Sequence, residues 1–203
     1  GHTEVSDAVN RPVITVTGVG KVARGDLLST GGMQPGDELV MTKWAGLEGS
    51  AIIAAEKRDV LEQTLPAHLI DTAESFLKHI SVVPEAKIAM QHGVHAMHDV
   101  TEGGIFGALW EMGAASGVGI VADLDKIPIR QETIELCEVF DINPYLLISS
   151  GCMLIGCENG NLLVERLQEA GIPAAVIGRA TEGNDRVIRS GEETRFLEPA
   201  GSD

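Results

Sequence analysis

The stretch His98-Asp-Val-Thr-Glu-Gly-Gly104 constrains the fold more than any other segment of this 203-residue chain. Ala96-Met-His-Asp-Val100 reads as the end of a strand, and residues 103–116 read as a helix. Two glycines stand where that helix begins, so its first N–H groups carry no screening side chains. A strand that turns directly into a helix needs a sheet for the first and a second layer for the other.

The flanking sequence supplies both. Gln34-Pro-Gly-Asp37 has Pro and Gly at the central positions of a type II turn. Strands are expected at 38–42, 119–123, 152–157, 174–181 and 185–189. Helices are expected over 47–56, 57–64, 67–80, 103–116, 130–139 and 160–170. A short helix should run from Pro84 to near Gly93, with a helical turn at Pro144. Within 67–80, Leu69, Ile70, Ala73, Phe76, Leu77 and Ile80 repeat at three and four, the stripe of an amphipathic helix. Helices and strands alternate until two strands follow one another near the end. That order predicts an α+β layered sandwich rather than a doubly wound parallel sheet.

One expected strand stands apart. Val13, Thr15 and Thr17 alternate with Ile14 and Val16 across Pro12–Val22, a two-residue period with one face to bury. No strand is expected before it, which reads as a strand separated from its neighbours in a longer protein. The tail Glu198-Pro-Ala-Gly-Ser-Asp203 reads as loose.

Composition narrows the function. Aromatic residues are 3% of the chain and glycines number 24, which favours an aliphatic core with many close backbone approaches. A formal net charge of −15 argues against nucleic acid, because nothing would offset phosphate repulsion. No apolar run approaches the ~20 residues needed to span a bilayer, and no signal pattern opens the chain. The odd count of cysteines, Cys137, Cys152 and Cys157, suits a reducing, cytoplasmic compartment. The odd spacing of Cys152 and Cys157 along one strand sends their thiols to opposite faces, so they read as structural.

Four segments could carry chemistry. In the first, Thr101 is placed to cap the helix through its hydroxyl, and Gly103 and Gly104 leave a bare, dipole-oriented start that suits phosphate or another anion. Asp99 would repel phosphate, so its role there is to accept from substrate hydroxyl or amine groups, or to hold Mg²⁺. A capped helix packed on its strand explains the same residues without a ligand. In the second, His92, His95 and His98 could form a metal site, or serve as packing and capping histidines, with His98 placed to orient Asp99. The third, His2-Thr3-Glu4, precedes the expected first strand. The fourth, Ser149-Ser150-Gly151, presents hydroxyls before the strand at 152–157, or forms a plain turn.

In this order the segments resemble the aminoimidazole ribonucleotide (AIR) synthase-related, PurM-like superfamily. Gly1-His-Thr-Glu-Val5 is similar to the segment that ends the catalytic loop region of that family's N-terminal domain, and Val13 to Val22 to that domain's last strand. Gln34-Pro-Gly-Asp37-Glu-Leu-Val resembles the entry to the C-terminal domain, and His98–Gly104 its most distinctive motif. Phe140-Asp-Ile-Asn-Pro-Tyr through Cys157 resembles the later loop and strand, and Ala175-Val-Ile-Gly178 the closing strand. Within the superfamily the resemblance is nearest to the HypE-like hydrogenase expression/formation proteins, which convert a carboxamide to a nitrile with ATP.

The resemblance implies residues 1–24 as a remnant of an N-terminal ATP-binding domain and 25–203 as the C-terminal domain. It implies a PurM C-terminal-like α/β/α sandwich with a mixed, partly ferredoxin-like sheet. ATP and Mg²⁺ would sit mostly on the N-terminal domain, and the C-terminal domain would close over a small-molecule substrate activated by phosphorylation. Asp99 becomes the catalytic candidate. Thr101, Gly103, Gly104, Ser150, His2 and Thr3 become substrate- or phosphate-binding candidates. The resemblance also implies a homodimer through the N-terminal domain, a maturation partner protein, and no ATP turnover by this piece alone. Two features depart from the HypE-like pattern: Ser150 stands where that group has a glutamate, and no cysteine lies near Gly201-Ser-Asp203. Both point away from cyanide-ligand synthesis.

Overall fold

The computed structural model describes residue 3 and residues 5–199. Seven strands form one mixed sheet: β1 Glu38–Thr42, β2 Val94–Asp99, β3 Gly119–Asp123, β4 Met153–Cys157, β5 Ala174–Thr181, β6 Arg186–Ser190 and β7 Glu193–Phe196. They lie in the order β2-β4-β1-β5-β3-β6-β7. Every neighbouring pair is antiparallel except β3 and β6, which run parallel.

The period of two along each strand sorts side chains between two cores. Leu39, Met41 and Leu154 face one layer, built from α1 (Leu47–Glu56), α3 (Ala67–Glu74), α5 (Gly104–Ser116) and α6 (Gln131–Phe140). Val40, Met153, Ile155 and Cys157 face the other, where α4 (Val83–Ala89) contributes Ala89 and α7 (Gly160–Glu169) contributes Leu163 and Leu167. The result is an α/β/α sandwich. Cys152 belongs to the first core and Cys157 to the second, as their odd spacing requires. A four-residue helix, α2 (Arg58–Leu61), links α1 to α3.

The expected helix over 67–80 tightens partway. α3 ends at Glu74 and a 3₁₀ segment, Ser75–His79, follows. α3 buries Ile70 and Ala73, and the tighter turn of the 3₁₀ segment keeps Phe76 on the same core face, while Leu77 and Ile80 are exposed. The expected turn at Gln34–Asp37 forms: Gly36 has φ +99°, and the Asp37 N–H donates to the Gln34 carbonyl at 3.0 Å.

Two expectations fail. Residues 12–22 form no strand; the segment is irregular, and Val19 is 94% exposed. Alternation gives a segment the propensity to pair, but a strand exists only where its N–H and C=O groups find a ladder, and among the described residues none lies beside it. Conversely, β7 appears where Glu193-Thr-Arg-Phe196 shows no apolar alternation. It is held by a hairpin across Gly191, φ +57°, with Ser190 opposite Glu193. Among the described residues no helix is long and apolar enough to cross a membrane.

Candidate functional site

Two turns meet at one end of the β2–β4 ladder. Asp99 lies opposite Met153, and the Val100 N–H donates to the Cys152 carbonyl at 3.1 Å. The turn leaving β2 therefore sits beside the 149–151 turn that enters β4, which brings Asp99 and Ser150 to the same edge of the sheet. Asp99 is exposed, and its carboxylate makes no hydrogen bond or ion pair among the described residues. A carboxylate placed there only to hold its turn would accept from the N–H groups of that turn. This one does not.

The helix start is built differently from the sequence expectation. The residue before α5 is Gly103, with φ +76° and no side-chain cap. Its left-handed conformation brings the Thr101 carbonyl, not the Thr101 hydroxyl, to the Gly104 N–H at 3.1 Å. Gly104, at φ +58°, is not open to an anion either. A β-carbon there would lie 2.5 Å from the Tyr145 carbonyl oxygen and 2.8 Å from that of Leu147. The Phe106 N–H donates to the same Tyr145 carbonyl at 3.3 Å. The missing side chain at Gly104 admits the 145–147 backbone. Gly103 differs, because it borders open space together with Glu102.

The serine turn divides its labour. Ser149 is buried: its Oγ accepts from the Gly46 N–H at 2.6 Å and donates to the Leu147 carbonyl at 2.7 Å. Ser150 is half-buried, and its hydroxyl makes no hydrogen bond among the described residues. The Gly151 carbonyl accepts from Lys43 Nζ at 2.8 Å, and the same ammonium donates to the His79 and Ser81 carbonyls, each at 2.7 Å. Glu85 Oε1 lies 2.6 Å away. Three carbonyls already use the three ammonium protons, so Glu85 is held by charge alone, and Lys43 itself has φ +56°. Nothing in the sequence announced this buried pair, whose two residues stand some forty positions apart.

The three histidines do not converge. His92 Nδ1 lies 2.8 Å from the Ile88 carbonyl, and His95 Nδ1 lies 2.9 Å from Asp37 Oδ2. His98 Nε2 lies 2.8 Å from Glu111 and its Nδ1 3.1 Å from Thr30 Oγ1. His98 does not orient Asp99, because neighbouring residues of a strand point to opposite faces. Among the described residues no three His, Cys, Asp or Glu side chains gather as a metal site would require. The three thiols are buried, and burial pushes Cys152 up to about 12 and Cys137 and Cys157 up to about 11. Thr3 is exposed, while His2 lies outside the described residues.

A cavity of about 880 Å³ opens on the other side of Gly103, between the start of α5, the loop at 142–148 and the segment 195–199. Asp99, Thr101 and Ser150 do not line it. Its walls join the start of α5 to the loop that follows Phe140 and to the segment after β6, which are brought together only by the fold.

Residues 34–190 match the family model described as AIR synthase related protein, C-terminal domain. The chain belongs to this family. It is 30% identical over 192 residues to a protein of Methanocaldococcus jannaschii whose name links it provisionally to hydrogenase expression and formation, covering 93% of this chain and 55% of that one. It is 27% identical over 180 residues to the carbamoyl dehydratase HypE of Rhodobacter capsulatus, covering 87% of this chain and 51% of that one. Among solved structures, the hydrogenase maturation protein HypE in complex with ATP superposes with a TM-score of 0.66 at 16% identity, over 90% of this chain and 56% of that one. The chain thus spans about half the length of the curated relatives it matches.

Proposed function

We propose that this chain is the substrate-side half of an ATP-dependent enzyme of the AIR synthase-related, HypE-like type. Residues 1–24 would belong to an N-terminal ATP-binding half, and residues 25–203 would close over phosphate and a small-molecule substrate whose oxygen is activated by phosphorylation. Asp99 would accept from the substrate or hold Mg²⁺ beside the transferred phosphate. Thr101, Gly103 and Ser150 would form the rim around it, with Thr3 and His2 approaching from the preceding segment. Gly104 would serve that rim indirectly, by letting the 145–147 backbone seat against the helix start.

The observation that carries this reading is the unbonded, exposed Asp99 at the junction of two turns. The ATP complex of a HypE with the same fold supports the nucleotide. Transfer of a phosphoryl group asks a protein chiefly for positioning and charge, which a carboxylate on a rigid sheet edge can supply. The expected partners are a second copy through the N-terminal half and a maturation partner protein.

The covered start at Gly104 favours a second reading, a non-catalytic small-molecule-binding or interaction module of the same fold. Calorimetric titration of the full-length protein with ATP and Mg²⁺ separates the two. Saturable, Mg²⁺-dependent binding is the result expected for the enzyme, and its absence would leave the module.

A further inference from the structure

The cavity beyond Gly103 shares that glycine with the rim proposed above but is lined by none of Asp99, Thr101 and Ser150. We propose that it binds a small organic cation with an apolar body, of the arylalkylamine class. Its volume of about 880 Å³ lies within the range of roughly 300–1,000 Å³ typical of ligand pockets. Phe106, Leu147, Ile188 and Leu197 line the interior, and Leu146 and Phe196 stand at the mouth. Phe196 is 71% exposed and Leu146 50%, a local concentration of apolar surface that an apolar ligand would cover.

The walls are anchored. The Leu197 N–H donates to the Arg186 carbonyl at 2.8 Å, and the Leu146 N–H to the Asn143 carbonyl at 3.1 Å. The Phe106 ring stacks on Tyr145 with centroids 5.3 Å apart. The space is therefore bounded by hydrogen-bonded backbone on the loop side and on the 195–199 side.

Charge selects the ligand. Glu102 and Glu198 border the cavity, both exposed, and neither forms an ion pair among the described residues. Arg195 also borders it, and its Nη2 donates to Glu193 Oε2 at 2.8 Å, so with that partner counted the acidic groups here still outnumber the one cation. The rim is negative in a chain of net charge −15. A carboxylate or phosphate would be disfavoured there, whereas an ammonium group would find two carboxylates beside an apolar, partly aromatic wall. Asn143 Oδ1 already accepts from the Tyr145 N–H at 3.0 Å, which leaves its NH₂ to donate to a polar atom of the ligand.

The test is calorimetric titration of the full-length protein with three matched probes: 2-phenylethylamine, 2-phenylethanol and 3-phenylpropanoate. The amine is expected to bind roughly tenfold tighter than the carboxylate at low salt. The double variant Glu102→Gln/Glu198→Gln should bring the amine down to the affinity of the alcohol without changing the alcohol itself. Leu146→Trp, at a half-exposed position at the mouth, should block all three while the thermal transition stays in place. No saturable amine binding at millimolar concentration, equal affinity for amine and carboxylate, or an unaffected double variant would each overturn the proposal. ATP titrated in parallel reads the Asp99 side, so failure here is distinct from failure there.

Discussion

Lys43 and Glu85 meet inside the protein, with Nζ 2.6 Å from Oε1 and side chains 7% and 1% exposed. The two are not equivalent. The ammonium is solvated by the carbonyls of His79, Ser81 and Gly151, whereas both Glu85 carboxylate oxygens are buried without a hydrogen bond among the described residues.

Removing the cation is therefore the worse injury. Lys43→Met strands a buried carboxylate and three carbonyls and should cost about 3–5 kcal/mol. Glu85→Gln leaves the ammonium with its three acceptors and should cost clearly less. Urea denaturation of the two variants checks the order, and an equal loss would contradict this account of the pair.

Gly104 and Gly183 both have positive φ, +58° and +82°, but only Gly104 has a neighbour in the way. At Gly183 nothing lies within 4 Å of the position a β-carbon would take, so Gly183→Ala should cost only the left-handed penalty of about 1–2 kcal/mol. Gly104→Ala adds a clash with the Tyr145 and Leu147 carbonyls, which are backbone and yield only by moving the loop. Its loss should exceed that of Gly183→Ala by at least about 1–3 kcal/mol. Thermal melts of the two variants decide it.

The buried thiols make stability fall in alkali. Each thiol keeps its proton in the folded protein to about 11 or 12, while the unfolded thiol releases it near 9. Between those values the folded state binds more protons, so stability decreases as pH rises, by up to about 1.4 kcal/mol per thiol per pH unit. Below pH 9 these groups contribute no pH dependence. Denaturation midpoints between pH 7 and 10.5 should be flat at first and then decline, and Cys137→Ala should lessen the decline. A thiol reagent at pH 7.5 should label the cysteines only after unfolding.

Residues 12–22 should tolerate polar substitution. Ile14→Ser and Val16→Ser replace side chains that are 83% and 87% exposed, and in this 203-residue chain each should shift stability by no more than about 0.5 kcal/mol. A larger loss would mean that the segment packs on the sheet.

What the sequence disclosed and what it concealed follow from how far each signal reaches. Short apolar runs bounded by turn residues located β1, β3, β4, β5 and β6, and the Pro-Gly pair located the turn before β1, because each depends on residues within a few positions. β7 was hidden because Glu193-Thr-Arg-Phe196 is exposed throughout and so bears no burial pattern. The strand expected at 12–22 had the pattern without a ladder. At the site, the strand–turn–helix junction was legible, but the Gly104 contact with Tyr145 depends on a loop some forty residues later and could not be read locally. For the same reason the glycine pair suggested an open anion site where the structure shows one covered glycine and one bordering a cavity. The Lys43 pair and the cavity walls join segments far apart in the chain, so they became visible only once the sheet set their order.

The most direct test concerns Asp99. Mg²⁺-dependent ATP turnover by the full-length protein, measured for the parent and for Asp99→Asn, should fall by on the order of 100-fold or more in the variant, with the melting temperature unchanged because the carboxylate holds nothing in the fold. Turnover equal to the parent, or a loss of turnover matched by a loss of stability, would contradict the placement of Asp99 at the reacting centre.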